Sequence, residues 1–262
     1  MENIIQDRFL ITALAAVCGA ILGSFATALI WRLPRDIDWK IKRSSCTKCG
    51  YKLKALDLLP ILSYIISGGK CRNCGANYGV KYLVIELLML IGFALIFYFV
   101  EDLIIAALLS LLYFAVIVLS VIDFEHYIIP NEVNIFIFIL SISYAIYINA
   151  PWQQIVLNPF FYMALSLFLR WFMYAWKKKE ALGLGDVKFF FAVGAFLELE
   201  LLSPFLFMSG FIGIVIAIIW RIKGYGKKFP FGPALSMSLF LCVAFPEIGD
   251  YMLKMTQETI YN

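Results

Sequence analysis

Charge is scarce in this chain. Asp, Glu, Lys and Arg make up 15% of its 262 residues, and histidine occurs once, at His126; an ordinary soluble domain is about 25% charged. Apolar and aromatic residues reach 63%. A soluble fold of this length has no interior large enough to hide them, because more than half of any folded surface faces water. The composition therefore excludes a cytosolic globular enzyme, a disordered chain and a disulfide-rich secreted module. No internal repeat, low-complexity tract, phosphate-cradling glycine loop or serine-nucleophile motif occurs, and no nucleic-acid partner is expected. What remains is an all-α polytopic membrane protein.

Runs long enough to cross a bilayer (about 20 residues, range about 17–25) fall at 9–31, 82–100, 103–122, 133–149, 160–176, 187–202, 204–220 and 234–246. These are read as about eight transmembrane helices, of which the sixth and eighth are short. The first lacks a positive leading segment and is followed by a basic cluster, which makes it a retained anchor rather than a signal peptide. Its Gly19 and Gly23 form a GxxxG face suited to close helix packing, or simply a helix rich in small residues. Three domains are expected: a first transmembrane helix at 1–31, a cytoplasmic module at 32–81, and a helix bundle at 82–262.

Lys and Arg orient the chain. Segments 32–81, 177–188 and 221–228 hold nineteen of the 22 basic residues, and with eight spans all three lie on one side. The opposite side keeps only Arg8 and Lys254, and Arg170 lies within a span. The positive-inside rule then places the N-terminus outside and the basic segments in the cytoplasm. Within 32–81 the basic residues suit anionic lipid headgroups, and the apolar stretch Leu58–Ile66 suits the membrane surface. Trp31, Trp176 and Trp220 read as interface anchors.

Two CxxCG turns, Cys46 to Gly50 and Cys71 to Gly75, stand 21 residues apart. Zinc takes four soft ligands in a tetrahedron, and paired CxxC turns supply them from two sides. In a reducing compartment this spacing speaks for metal rather than disulfides. Four thiolates close the coordination sphere, so a zinc held by Cys46, Cys49, Cys71 and Cys74 is structural. Cys18 and Cys242, set in apolar runs, read as packing residues.

Ionisable residues at span ends or within spans are candidates for function. Asp123 ends the third span and Asp186 opens the sixth, within Gly183-Leu184-Gly185-Asp186. The topology brings both to the cytoplasmic face. Two adjacent carboxylates share a proton near neutral pH: the charged one deprotonates water, and the protonated one polarises a peptide carbonyl. That is the chemistry of an aspartic protease. Taken singly, Asp186 reads equally well as a helix N-cap and Asp123 as an interfacial residue. A carboxylate-coupled proton or cation transporter using Asp123 and Asp186 is the main alternative, and a zinc-bearing membrane scaffold is another. Lys188 and His126 read as interfacial residues with a lesser possibility of tuning the aspartates, and Arg170 as a snorkelling or bundle-pairing residue.

Together these strings resemble the bacterial type IV prepilin peptidases, the GxGD aspartic proteases of the inner membrane. The elements, in order, are Gly23-Ser24-Phe25 through Arg32-Leu33-Pro34, the four cysteines, Asp57-Leu58-Leu59-Pro60, Val84-Ile85-Glu86-Leu87-Leu88, Asp123 before Ile129-Pro130-Asn131, Gly183 to Lys188, and Pro230-Phe231-Gly232-Pro233. The resemblance implies that Asp123 and Asp186 are the catalytic pair and that the four cysteines bind zinc. It implies removal of a basic leader from prepilins or pseudopilins at the cytoplasmic border. For members with the four-cysteine domain it implies methylation of the new N-terminus with S-adenosylmethionine; a peptidase without that second activity is the nearest alternative. Ala26-Thr27-Ala28 stands where many members have Leu-Asn-Val, and Asn131 where Asp is usual. Glu86, Glu125 and Glu132 are the residues expected to hold a basic leader.

Overall fold

The structure is a computed structural model describing residues 2–40, 43–178, 182–226, 228–249 and 251–253. Lys42, Lys179, Lys227 and Lys254, four of the basic residues used to orient the chain, lie outside the described residues. Nine helices of six residues or more are described: α1 (Glu2–Arg32), α2 (Leu62–Ser67), α3 (Lys81–Phe99), α4 (Leu103–His126), α5 (Asn131–Tyr147), α6 (Trp152–Lys177), α7 (Leu184–Val193), α8 (Leu202–Ile222) and α9 (Gly232–Ala244). Among the described residues there are no strands, only two isolated bridges, Ser45 to Lys52 and Lys70 to Asn77. The protein is an all-helical, multi-pass membrane protein.

A helix coincides with each of the eight apolar runs, but only α1, α3, α4, α6 and α8 are long and apolar enough to cross a bilayer alone. A sixth span results if α9 is joined to its sharply bent continuation Pro246–Leu253. The shorter members are α5 with 17 residues, α9 with 13 and α7 with 10. Proline sets several helix starts, with Pro130 and Pro151 at the N-caps of α5 and α6 and Pro233 in the first turn of α9. Its fixed φ suits a helix entrance, where an amide donor has no intrahelical partner anyway.

The chain divides into two compact units, Met1–Val118 and Leu119–Asn262. In the first, α1 packs along α3 through its small face. A Cβ on Gly23 would sit 2.8 Å from Glu86 Cα, and one on Gly19 would sit 2.8 Å from Phe93 Cβ. The GxxxG face is therefore a packing surface. The polar module lies between these helices in sequence. Its apolar stretch stays exposed at Leu58, Leu59, Leu62, Ile65 and Ile66, with the last three on α2, as a segment suited to a membrane surface would be.

In the second unit the run 187–202 is not one helix. The α7 helix stops at Val193, and the chain continues through Gly194 to Leu197 before a 3-10 turn at Leu199–Leu201. Bare carbonyls are costly where water is excluded, and α6 satisfies them with one row of side chains. Gln154 Nε2 donates to the carbonyls of Ala195 (3.1 Å) and Phe196 (3.4 Å), Asn158 Nδ2 to Leu197 (3.1 Å), and the Tyr162 hydroxyl to Glu198 (3.1 Å). The spacing i, i+4, i+8 puts all three on one face of α6. Gly194 makes this possible, since a Cβ there would overlap the backbone of Pro159.

Candidate active site and metal centre

Asp123 lies in the last turn of α4 and is 5% exposed. Its Oδ2 accepts the N–H of Gly232, the first residue of α9, at 2.8 Å. A Cβ on Gly232 would sit 2.7 Å from that same oxygen, so the glycine of Pro-Phe-Gly-Pro is what lets the α9 terminus reach the carboxylate. Just beyond, Tyr127 takes the left-handed conformation (φ 57°) and its N–H closes the helix on the Asp123 carbonyl at 2.9 Å. Trp220 is not a simple lipid-facing anchor. It stacks on Phe124 at 5.9 Å and meets Tyr127 edge-on at 6.1 Å, supporting the Asp123 end of α4.

Asp186 is the third residue of α7, not its N-cap. Its Oδ2 reaches back to accept the Gly183 N–H at 2.9 Å, the carboxylate half of a capping box. The neighbouring Gly185 packs against Ile129, 3.2 Å from where a Cβ would stand. The segment after Asp123 therefore touches the segment that carries Asp186. Two further bonds lash these segments together: Asn134 Nδ2 donates to the Gly185 carbonyl at 3.3 Å, and Lys188 Nζ donates to Asn131 Oδ1 at 2.7 Å. Asp123 and Asp186 thus lie in one unit, at the ends of segments that touch each other.

Arg170 is a residue whose role the sequence alone did not reveal. It donates to the Leu182 carbonyl, one residue before the glycine whose N–H holds Asp186. The signal was present, an arginine inside an apolar helix, but its target could not be read. Lys188 likewise bridges to α5 instead of merely facing headgroups. His126 Nε2 is buried without a hydrogen-bond partner.

The predicted leader-holding residues are divided between the two units. Glu125 and Glu132 are exposed on the second unit, in the last turn of α4 and the first turn of α5. Glu86 is 6% exposed on α3 in the first unit, accepting the Ile61 N–H at 2.7 Å.

The four cysteines converge. Their sulfurs all lie within 4.8 Å of one another, with Cys46 to Cys74 and Cys49 to Cys71 each 3.9 Å apart. Each CxxCG is the same knuckle. The first cysteine's N–H meets a carbonyl five residues on, and the glycine N–H returns to that cysteine's carbonyl, all at 2.9 Å. Gly50 (φ 71°) and Gly75 (φ 68°) adopt the left-handed turn that a side chain disfavours. The Tyr51 N–H and then the Asn73 amide hold the Cys49 thiol down at about 6. The N–H groups of Cys74 and Asn73 lower Cys71. Although the Ala76 N–H favours its thiolate, Cys74 is pushed up to about 11, mainly by its cysteine neighbours and burial. Such a cluster ionises fully only around a cation. Sulfurs about 2.3 Å from a tetrahedral zinc stand about 3.8 Å apart, so the donor set fits a zinc-sized ion.

The bacterial peptidase A24 N-terminal domain matches residues 17–100, and the type IV leader peptidase family matches residues 110–218. A prepilin leader peptidase/N-methyltransferase of Vibrio cholerae is 31% identical across 88% of this chain and 95% of its own length. This chain belongs to the type IV leader peptidase family. A Neisseria gonorrhoeae protein of the same description is 30% identical over 86% of this chain and 87% of its own. A type 4 prepilin-like proteins leader peptide-processing enzyme of Escherichia coli is 29% identical over 86% and 90%. No solved structure matches. In this leader peptidase the four cysteines fall in the first matched region and both aspartates in the second.

Proposed function

We propose that the protein is a prepilin peptidase in which Asp123 and Asp186 hydrolyse the bond after the basic leader of type IV prepilins or pseudopilins. The observation that carries the reading is the pair of carboxylates borne on touching segments, each accepting one backbone N–H. With one carboxyl protonated and the other ionised, the ionised group takes a proton from water. The hydroxide equivalent adds to the scissile carbonyl, which accepts a hydrogen bond from the protonated group. Collapse of the tetrahedral adduct breaks the C–N bond, and a carboxyl proton goes to the departing amine. The Gly232 and Gly183 N–H groups fix the two carboxylates, and the Asn134, Lys188 and Arg170 bonds keep the Asp186 segment in register.

The enzyme sits in the bacterial inner membrane with its N-terminus outside and the site at the cytoplasmic border. The polar segment 32–81 forms a cytoplasmic module between the first helix and the bundle 82–262. Exposed Glu125 and Glu132, flanking the Asp123 segment, meet the basic leader. Cys46, Cys49, Cys71 and Cys74 hold a structural zinc. A second activity follows cleavage. S-adenosylmethionine would supply the methyl group for the freed N-terminal amine, which would give up one proton to water.

The test is cleavage of a prepilin by purified protein in detergent, followed by mass spectrometry of the product. Wild type is expected to release the leader and leave a product heavier by one methyl group. Asp123→Asn and Asp186→Asn are each expected to abolish release while keeping the wild-type thermal midpoint. Cleavage by the double variant would refute the mechanism, and a transporter reading would gain from proton flux in liposomes that survives without any cleavage.

A further inference from the structure

The first unit contains a cavity of about 180 Å³ lined by residues of α1, α2, α3 and the cysteine module. Four cations line it, Arg32, Lys48, Lys70 and Arg72, against two carboxylates, Asp57 and Glu86. Arg72 is paired with Asp57 at 2.9 Å, and Lys48 sits between Cys46 and Cys49, next to the thiolates. Arg32 and Lys70 make no ion pair among the described residues. The half-buried Arg32 guanidinium meets only neutral acceptors at the limit of hydrogen bonding, the Trp39 carbonyl at 3.4 Å and the Ser44 hydroxyl at 3.5 Å. A guanidinium with donors to spare, an unpaired ammonium and hydroxyls on the same wall form a donor set for a phosphate ester. Glu86, which accepts the Ile61 N–H at 2.7 Å, repels a second anion there but can accept a hydroxyl. The surroundings are those of a membrane border. Arg32 ends α1, a helix long and apolar enough to cross a bilayer, and the preceding Trp31 is exposed. On α2, Ser63, Tyr64 and Ser67 line the cavity while Leu62, Ile65 and Ile66 are exposed. This short helix therefore offers a polar face to the cavity and an apolar face to lipid chains.

We infer that this cavity binds the headgroup of an anionic phospholipid whose phosphodiester carries a polyol, of the phosphatidylglycerol kind. The phosphate lies at Arg32 and Lys70, a headgroup hydroxyl donates to Glu86, and the acyl chains run along the apolar face of α2. The enclosed volume is below the roughly 300–1,000 Å³ of a pocket that surrounds a whole drug-sized ligand, so it takes a headgroup and leaves the chains outside. This is a discrete site, distinct from the diffuse attraction of basic segments to an anionic membrane surface. It belongs to the unit that does not hold Asp123 and Asp186.

Native mass spectrometry of the full-length, zinc-loaded protein, delipidated in detergent and titrated with phosphatidylglycerol or phosphatidylcholine, tests this. Wild type is expected to take up one phosphatidylglycerol per chain at least tenfold more tightly than phosphatidylcholine. Arg32→Gln and Lys70→Gln each remove a charge from the lining, and Ala28→Leu fills the cavity without touching a charge. Each is expected to weaken phosphatidylglycerol binding about tenfold while retaining zinc at the wild-type ratio, which reports that the module is folded. Lys70 is exposed, so its exchange leaves the fold intact and decides the matter if an α1 variant loses zinc. Lys52→Gln, which removes an exposed charge of the same module away from the lining, is expected to change binding less than twofold. Equal losses in Lys52→Gln and Lys70→Gln overturn the site in favour of diffuse surface charge. Affinity within twofold of wild type in any zinc-retaining cavity variant, or no preference over phosphatidylcholine in wild type, also overturns it. Soluble glycerol phosphate bound as tightly as the lipid overturns the lipid assignment and makes a soluble phosphate ester the occupant.

Discussion

Replacing Gly232 by alanine tests the active-site geometry with a single methyl group. Its φ is not in the left-handed region, so alanine needs no positive φ there, and as the first residue of α9, before Pro233, it brings no helix-interior gain. The new methyl would nevertheless stand 2.7 Å from Asp123 Oδ2 and 3.0 Å from Leu119 Cδ2. Ordinary contact needs 3.4 Å or more, so the carboxylate or the α9 terminus must move by about 0.7 Å. Either movement breaks the 2.8 Å bond from the Gly232 N–H. A hydrogen bond to a charged group is worth about 1.5–3 kcal/mol, and each 1.36 kcal/mol lost from transition-state stabilisation is tenfold in rate. We expect kcat for prepilin cleavage to fall on the order of 10- to 100-fold, with KM within about threefold because the leader-holding surface is untouched. Gly210→Ala is the matched control. It lies in α8 with nothing within 4 Å of its Cβ position, and it should keep full activity and an equal or higher thermal midpoint. Full kcat in Gly232→Ala would refute the role given to this N–H.

Asn158→Ala strands the buried Leu197 carbonyl and should cost about 1–3 kcal/mol, read as a lower thermal midpoint in detergent; Tyr162→Phe, which loses only the bond to Glu198, should cost less. Gly194→Ala forces α7 off the Pro159 backbone and should lower both the midpoint and the cleavage rate, an effect that Gly210→Ala does not share. Cys49→Ser should reduce bound zinc from about one per chain to below half, measured by atomic absorption, and prolonged treatment with a strong chelator should reproduce that loss in wild type. Exchanging Glu125 and Glu132 together for Gln should raise KM for a normal prepilin several-fold and leave a charge-reduced leader unaffected; equal effects on both substrates would remove these residues from leader binding.

Much of the site was legible in the primary structure because it is written locally. A CxxCG knuckle closes within six residues, and the glycine that turns each one through positive φ is the one the motif marks. The position of Asp186 beside flexible glycines is equally local, although it reads as an N-cap from sequence and is the third helical residue in the fold. The partners of these residues were not legible. Gly232 lies 109 positions from Asp123, and nothing in either segment names the other. Arg170 and Lys188 were visible as charges, but their acceptors, the Leu182 carbonyl and Asn131, come from other elements. Glu86 read as one of three leader-binding acids, and it belongs to the first unit whereas the other two belong to the second.

Composition and periodicity alone determined that the chain is helical and membrane-embedded, where its apolar runs lie, and which four thiols and two carboxylates merit attention. Those properties depend on the solvent and on neighbours within a few residues. Tertiary structure decided that the run 187–202 breaks after Val193, that a polar row on α6 serves the break, and that Asp123 is held by the start of α9. A helix that is apolar on every side carries no pattern naming the face it will bury. The rotation and pairing of such helices follow from close packing at Gly19, Gly23 and Gly194 and from side chains that reach foreign carbonyls, and these are settled only when the helices meet.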